Sequence, residues 1–459
     1  MFNSHFFVNK FSYLVLLIPL FLITGPFLPD FALSVTCILF LLLTIKEKNY
    51  KKFNNKFVKF FLLFWLTLVI SSLLSENLVS SLKSSFFYFR FGLFVIILNF
   101  LFKENKSFEK NFIKIGFLSI LIVLISCLIE FLLIRYDYIK EIYSIFISTD
   151  ALNFKVQSTN LINTIDNRVS GIFGSEGVAG SYILRLSPFF FIFYLTNIYR
   201  SEKKPSVKKI FFFNLIFVLI SLTILFSGER AAFFLFCFSI ILHFLIIKRL
   251  REYLKYSLYS SLILIIVFIN FDPVVGARII SQTKYQLTHF HDLTKKEIKN
   301  DSLKSDKLFI ISETHQGHMV AAWKIFKENK FFGAGSKGYR YECYNTEKFV
   351  KDKNISCSTH PHNTLMQFLS ETGILGTLFY LILLFIILFE VIKKIFQVNF
   401  KKNLKTSVDF DVRNCGLICI LINIWPLTTS GSFFNNWLSI VYFLPVIFYL
   451  KNNKFLEDA

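Results

Sequence analysis

The chain has 459 residues, a formal net charge of +21 and 54% hydrophobic residues, 61 of them phenylalanine. Its apolar residues recur in blocks of roughly 17 to 22, long enough to cross a hydrocarbon core as helices, which excludes a soluble fold. Much of the positive charge lies in short loops between blocks, where the bias of membrane insertion accounts for it without nucleic acid.

In chain order, spans are predicted near residues 11–29, 30–45, 57–75, 85–102, 112–134, 178–197, 210–227, 231–248, 254–271, 372–392, 414–430 and 434–450, about twelve helices. The first block runs into the second with no small-residue cleavage pattern, so it reads as a retained span rather than a cleaved signal. Basic residues gather in alternate connections, at Lys46 to Lys56, Lys103 to Lys110, Arg200 to Lys209, Lys248 to Lys255 and Lys393 to Arg413. Both termini are therefore expected in the cytoplasm. The expected fold is all-α: a polytopic integral membrane protein in which residues 1–459 form a single membrane domain.

Two outward segments are long, residues 135–177 and residues 272–371, far beyond an ordinary connection. In the second, His318 to Asn329 is helix-like, with Val320, Trp323, Ile325 and Phe326 as its expected apolar face and Gly333 and Gly335 as its stop. Cys343 and Cys357 lie in this segment, where an oxidising compartment permits a disulfide, whereas Cys37, Cys127, Cys237, Cys415 and Cys419 fall in or beside spans. His315, His318, His360 and His362 have no finger-like spacing, so no metal is expected.

The segment with the most chemical content is His362-Asn363, followed by Glu371, Gly373 and Gly376, where the second outward segment meets a span. Thr359 or His360 can cap a helix beginning at Pro361. His362 would then lie in the first turn, where the helix dipole disfavours imidazolium and leaves a neutral base. For His243, inside a span, an ordinary amphipathic role is explanation enough. Glu371 is nine residues beyond His362, half a turn out of phase, and is assigned a structural role near the site.

Ser227-Gly228-Glu229-Arg230 forms a very short outward turn, and its arginine can bind phosphate oxygens bidentately, with Arg278 as a second cation on that face. Arg168 precedes a glycine-rich re-entry into the sixth span, while Arg90 and Arg185 lie inside spans and are weaker candidates for contact with a substrate. Gly333 to Gly338 spells GxGxxG, but it follows a helix rather than a strand and reads as a turn, not a nucleotide site.

These residues resemble the O-antigen ligase and polymerase family of bacterial envelope polysaccharide assembly. The match is carried by His362-Asn363 with its spacing to Gly373 and Gly376, by Ser227-Gly228-Glu229-Arg230, and by the Trp323 to Gly335 stretch. The resemblance implies a GT-C-like, metal-independent and cofactor-free inverting glycosyltransferase on the periplasmic face of the inner membrane. It would take a glycan from undecaprenyl diphosphate and pass it to lipid A-core or, in a polymerase, to another carrier-linked repeat unit. His362 would be the catalytic base, with Arg230, Arg278, Arg168 and Asn363 binding substrate and Glu371, Gly373 and Gly376 shaping the site. Protein O-glycosylation remains open beside ligase and polymerase. A polysaccharide flippase is the alternative from another class, but it requires polar groups through the membrane, whereas these gather on one face.

Overall fold

The computed structural model describes residues 7–135, 168–198, 206–281, 313–345, 357–401 and 406–451, with a few isolated positions besides. Most of the first long outward segment, residues 136–167, and much of the second, residues 284–312 and 346–356, lie outside this set. Fourteen helical elements are labelled here in chain order. They are α1 (Phe7–Thr24), α2 (Phe27–Glu47), α3 (Lys56–Leu73), α4 (Leu78–Glu104), α5 (Lys106–Arg135), α6 (Ala179–Phe193), α7 (Val207–Phe226) and α8 (Arg230–Ile246). They continue with α9 (Arg251–Phe271), α10 (Glu313–Glu328), α11 (Tyr339–Asn345), α12 (Thr364–Phe400), α13 (Val408–Asn423) and α14 (Asn436–Leu450).

The protein is an all-α polytopic membrane protein. Among the described residues, nine helical segments are long and apolar enough to cross a membrane, and α8 and α14 are shorter apolar helices. Helix α13, where an eleventh span was expected, has 16 residues and opens on Asp409 and Asp411. Only helices satisfy every main-chain group inside hydrocarbon without outside partners, which is why the apolar blocks fold this way. Side-chain caps set several starts: Asn55 accepts from the Val58 amide at 2.9 Å, Ser407 from Phe410 at 3.0 Å and Asn435 from Leu438 at 3.2 Å.

By its internal packing the chain divides into two compact units, one of residues 1–115 and 303–459, the other of residues 116–302. The first contains α1 to α4 and α10 to α14. Ile374, Leu378, Ile382, Phe385, Phe389, Ile392 and Phe396 of α12 are exposed, as expected of a helix flank facing lipid. A cavity of about 200 Å³ lies within this unit, lined by Phe57, Phe61, Phe64, Phe368, Tyr380 and Phe433 among others. In the second unit, α6 is buried nearly all round, from Ala179 to Ile192. His243 of α8 is wholly buried there, with Nδ1 2.8 Å from the Ser239 carbonyl, so it is a core residue.

The part of the first unit around α10 and α11 has its own small core of Ala321, Ala322, Ile325, Ala334, Tyr339, Cys343 and Cys357, against which Met366 packs. A disulfide joins Cys343 to Cys357, with Cα atoms 5.7 Å apart. Helix α10 forms where expected and buries Ile325 as expected, but Ala321 and Ala322 complete its inward face, while Trp323 is 39% exposed. Small alanines permit the close approach that the bulky indole would prevent, and Lys327 lies over the Trp323 ring instead, 5.7 Å from its centre.

Residues Gly333 to Gly338 are indeed a turn, and they clasp the kink in α12. Gly373 interrupts that helix with φ 61° and ψ −160°. The Ala334 and Gly335 amides donate to the freed carbonyls of Ser370 and Glu371, at 2.8 and 2.9 Å, while Ile374 donates to the Lys330 carbonyl at 2.8 Å. From α3, Ser71 donates to the Glu371 carbonyl at 2.9 Å and Ser75 to the Ala334 carbonyl at 2.6 Å. A Cβ on either Gly333 or Gly373 would meet the other's nitrogen at 2.6 Å, and both glycines have positive φ. Gly333→Ala and Gly373→Ala should each cost about 2 kcal/mol or more in stability, read as a lowered unfolding temperature in detergent. Wild-type thermal behaviour in both would show that this clasp does not hold the fold.

Candidate active site

The expectation that α12 begins at Pro361 is corrected by the structure. The N-cap is Asn363, at φ −148° and ψ 130°, whose side-chain oxygen accepts from the Met366 amide at 3.0 Å. Its amide nitrogen donates to the carbonyls of Pro426, at 2.7 Å, and Thr428, at 3.2 Å, in the segment after α13. Asn363 thus spends its hydrogen-bonding capacity on the protein, which fits a positioning role better than the expected contact with substrate.

His362 lies before the helix rather than in its first turn, with φ 53°. A non-glycine residue held there stores about 1–2 kcal/mol of backbone strain. The strain is held by neighbours on both sides: the His362 carbonyl accepts from the Ser430 amide at 2.9 Å, and the Thr364 and Ser430 hydroxyls are 2.9 Å apart. The Ser358 hydroxyl lies 3.1 Å from His362 Nε2.

Three more histidines surround this ring. His360 is centred 4.0 Å from it, and His315 and His318, one turn apart on α10, are each centred 5.2 Å from it. Burial pushes the His362 pKa down to about 3, assisted by the neighbouring His360, His315 and His318, and burial likewise takes His360 to about 4. His362 is therefore neutral at pH 7, but because of desolvation and its histidine neighbours, not the helix dipole inferred from sequence. Among the described residues no three His, Cys, Asp or Glu side chains are arranged to hold a metal ion.

Glu371, in the last turn of the first segment of α12, is fully buried. Gln367 donates to it at 2.9 Å and to Ser432 Oγ at 3.0 Å, and accepts from the Phe433 amide at 2.8 Å. This network ties α12 to the segment that braces His362, so Glu371 supports the site from within without touching the imidazole. Gly376 lies against Thr372 on the same helix, where a Cβ would overlap the Thr372 side chain.

The arginines belong to the second unit. The Ser227–Arg230 turn is fastened by Glu229, whose carboxylate accepts from the Gly180 amide at 2.7 Å, from the Ser181 amide at 3.2 Å and from the Ser181 hydroxyl. Gly180 is required there, since its Cβ would press on Ser227 and come within 3.0 Å of Glu229 Oε1. Glu130 of α5 holds the re-entering strand of chain in the same way, accepting from the Ser170 amide at 2.8 Å and from the Gly171 amide. These two carboxylates bring Arg168 near enough to Arg230 for the two charges to repel. Arg230 donates to Thr283 Oγ1 at 3.4 Å. The Arg278 main chain forms part of the short helix Ala277–Ser281, beyond α9. Arg185 bonds to the Ser181 carbonyl at 3.2 Å, and in the first unit Arg90 pairs with Asp30 at 2.7 Å.

Sequence reasoning missed Glu229, Glu130 and Gln367 as organisers of the site. Glu229 and Glu130 each had a signal: an acid at the edge of an apolar span, next to a glycine-rich turn, needs backbone donors.

His362 thus stands in a strained, braced loop of the first unit, and Arg168 and Arg230 stand near each other at a turn of the second. Residues 215–381 match the family model described as O-antigen ligase, so this stretch of the chain is similar to that family. The matched stretch includes Arg230, Arg278, His362, Glu371 and Gly376. No curated protein matches the chain.

Asn363→Ala should lose the helix cap, worth about 1 kcal/mol, and release His362 from its brace. The expected outcome is a folded protein whose kcat falls at least tenfold. An unchanged kcat would detach Asn363 from the site.

Proposed function

We propose that the chain is an O-antigen ligase-type glycosyltransferase that moves a glycan from undecaprenyl diphosphate to lipid A-core on the periplasmic face of the inner membrane, with both termini in the cytoplasm. The observation that carries this reading is His362: a neutral imidazole in a strained loop, with a hydroxyl already 3.1 Å from its Nε2. An acceptor sugar hydroxyl in the place of Ser358 Oγ would pass its proton to that nitrogen. The bond from the donor's anomeric carbon to the diphosphate breaks as the acceptor oxygen bonds to that carbon from the opposite face, the proton leaving the oxygen last, and the configuration inverts. The leaving diphosphate takes the electron pair, and Arg168, Arg230 and Arg278 are assigned to neutralise it, the part a metal ion plays in other phosphate enzymes.

The family also includes polymerases, and the two activities part on one experiment. Deleting the gene should remove all long glycan from lipid A-core on a gel of surface polysaccharide. A core left carrying one repeat unit would assign the chain as a polymerase, and an unaltered profile would count against both.

At the site, His362→Ala should lower transfer in proteoliposomes by roughly 100-fold or more while the protein still inserts. Arg230→Lys should also impair it, since one ammonium cannot reproduce the planar fork. Transfer should persist in the presence of EDTA.

The pH dependence follows from the depressed histidine values. His362 and His360 remain neutral down to about 3 and 4, whereas in an unfolded chain they protonate near 6.5. Below pH 6.5 the unfolded state therefore binds more protons, so stability declines as pH falls towards 4 and gains nothing from these groups above 6.5. Transfer by intact protein should hold to about pH 5 before its acid limb begins. A limb centred near 6.5 would mean that the catalytic imidazole is not the desolvated one described here.

A further inference from the structure

The Gly333–Gly338 turn carries two cations that the proposed mechanism does not use. Lys337 lies at the end of the turn with φ 62°, and Arg340 follows within the first turn of α11. Both are half-buried, and among the described residues neither has a carboxylate within ion-pair distance. Arg340 Nε and the hydroxyl of fully buried Ser336 have no hydrogen-bond partner among the described residues. The backbone of the turn is clamped to Ser370, Glu371 and Ser75, so these side chains are presented from a fixed frame.

Their surroundings hold both signs, Arg90 being paired with Asp30 at 2.7 Å and Glu371 lying within electrostatic reach of both cations. Arg340 acts electrostatically on His360, whose ring is centred 4.0 Å from that of His362, and Arg90 acts on Lys337. Burial, then the charge of Arg340, lowers the Lys337 pKa, while Glu371 and Asp30 oppose that shift. Half-buried cations without a carboxylate partner among the described residues are poorly explained as solvated surface charge. They form the arrangement that an incoming anion completes.

We propose that Lys337 and Arg340 form an anion subsite, in the same unit as His362, for a phosphoryl group of the acceptor. This rests on the reading that His362 deprotonates the acceptor hydroxyl: cations beside the base meet the molecule the base activates. Arg340 supplies the planar donor pair for two phosphoryl oxygens and Lys337 a point charge. The phosphoryl group has two available sources, a phosphomonoester on the acceptor sugar or the diphosphate of a carrier-linked acceptor.

Inorganic pyrophosphate is the first probe, titrated calorimetrically into the full-length protein in detergent. An Arg230→Gln background removes the contribution of the arginine turn. In that background Arg340→Gln and Lys337→Gln should each weaken binding at least tenfold, with Arg340→Lys restoring part of it. No binding before the second substitution, or equal binding after it, would overturn the subsite.

In transfer assays Arg340→Gln should raise KM for a phosphorylated acceptor at least tenfold more than for its phosphate-free analogue. An equal rise for both would mean a purely structural role and also overturn the proposal. Comparing sugar phosphomonoester with carrier-diphosphate acceptors identifies the source, whichever shows the larger ratio. If His362→Ala retains transfer, the base assignment fails while the pyrophosphate titration still reports on Arg340, so the two failures are distinguishable.

Discussion

Every irregular stretch of backbone beside these spans needs its polar groups satisfied by the protein, because hydrocarbon supplies no partners. Four side chains meet that constraint, two in each unit. Glu229 takes the amides at the start of α6, Glu130 those at Ser170 and Gly171, Asn363 opens α12 and holds the segment at Pro426, and Gln367 joins Glu371 to Ser432 and Phe433. Each stands where a helix begins, breaks or is braced. Of the side chains assigned to chemistry, His362 and Arg230 adjoin Asn363 and Glu229 in sequence, and Arg168 lies two residues before the Ser170 amide that Glu130 holds.

The glycine-rich turn and the kink of α12 obey the same constraint from the backbone side. Interrupting a helix at Gly373 frees carbonyls that would otherwise be lost in a buried environment, and the Ala334 and Gly335 amides take them. The turn therefore has no helix or ladder of its own, since its donors are committed across the fold. GxGxxG spacing here reports close backbone approach between two segments, the same physical use of glycine that dinucleotide sites make with a ligand.

The spans were legible because apolar length is a property of the chain itself. The neutrality of His362 was legible too, but its cause was not: burial by His315 and His318 depends on α10 folding back over the loop, which no local spacing encodes. Helix α10 shows the same limit, since its periodicity suggested Trp323 as core while packing selected Ala321 and Ala322 beside Ile325. Glu371 was moved away from His362 by helical phase, and the structure agrees, yet its tie through Gln367 to the bracing segment required knowing where residues 430–433 lie.

Desolvation gives His362 availability at the expense of strength. A base whose pKa is pushed from 6.5 to about 3 is free of protons at any physiological pH but draws a proton from a sugar hydroxyl only weakly. In the proposed transfer, proton abstraction therefore cannot lead bond breaking at the anomeric carbon. It follows departure of the diphosphate, when the hydroxyl has become acidic through bonding to a cationic centre. Most of the barrier must then be lowered where the leaving group gathers charge, and fixed arginines act there without reorganising. In that proposal the repulsion between Arg168 and Arg230 is largest when nothing is bound and is relieved as the bound diphosphate gathers charge.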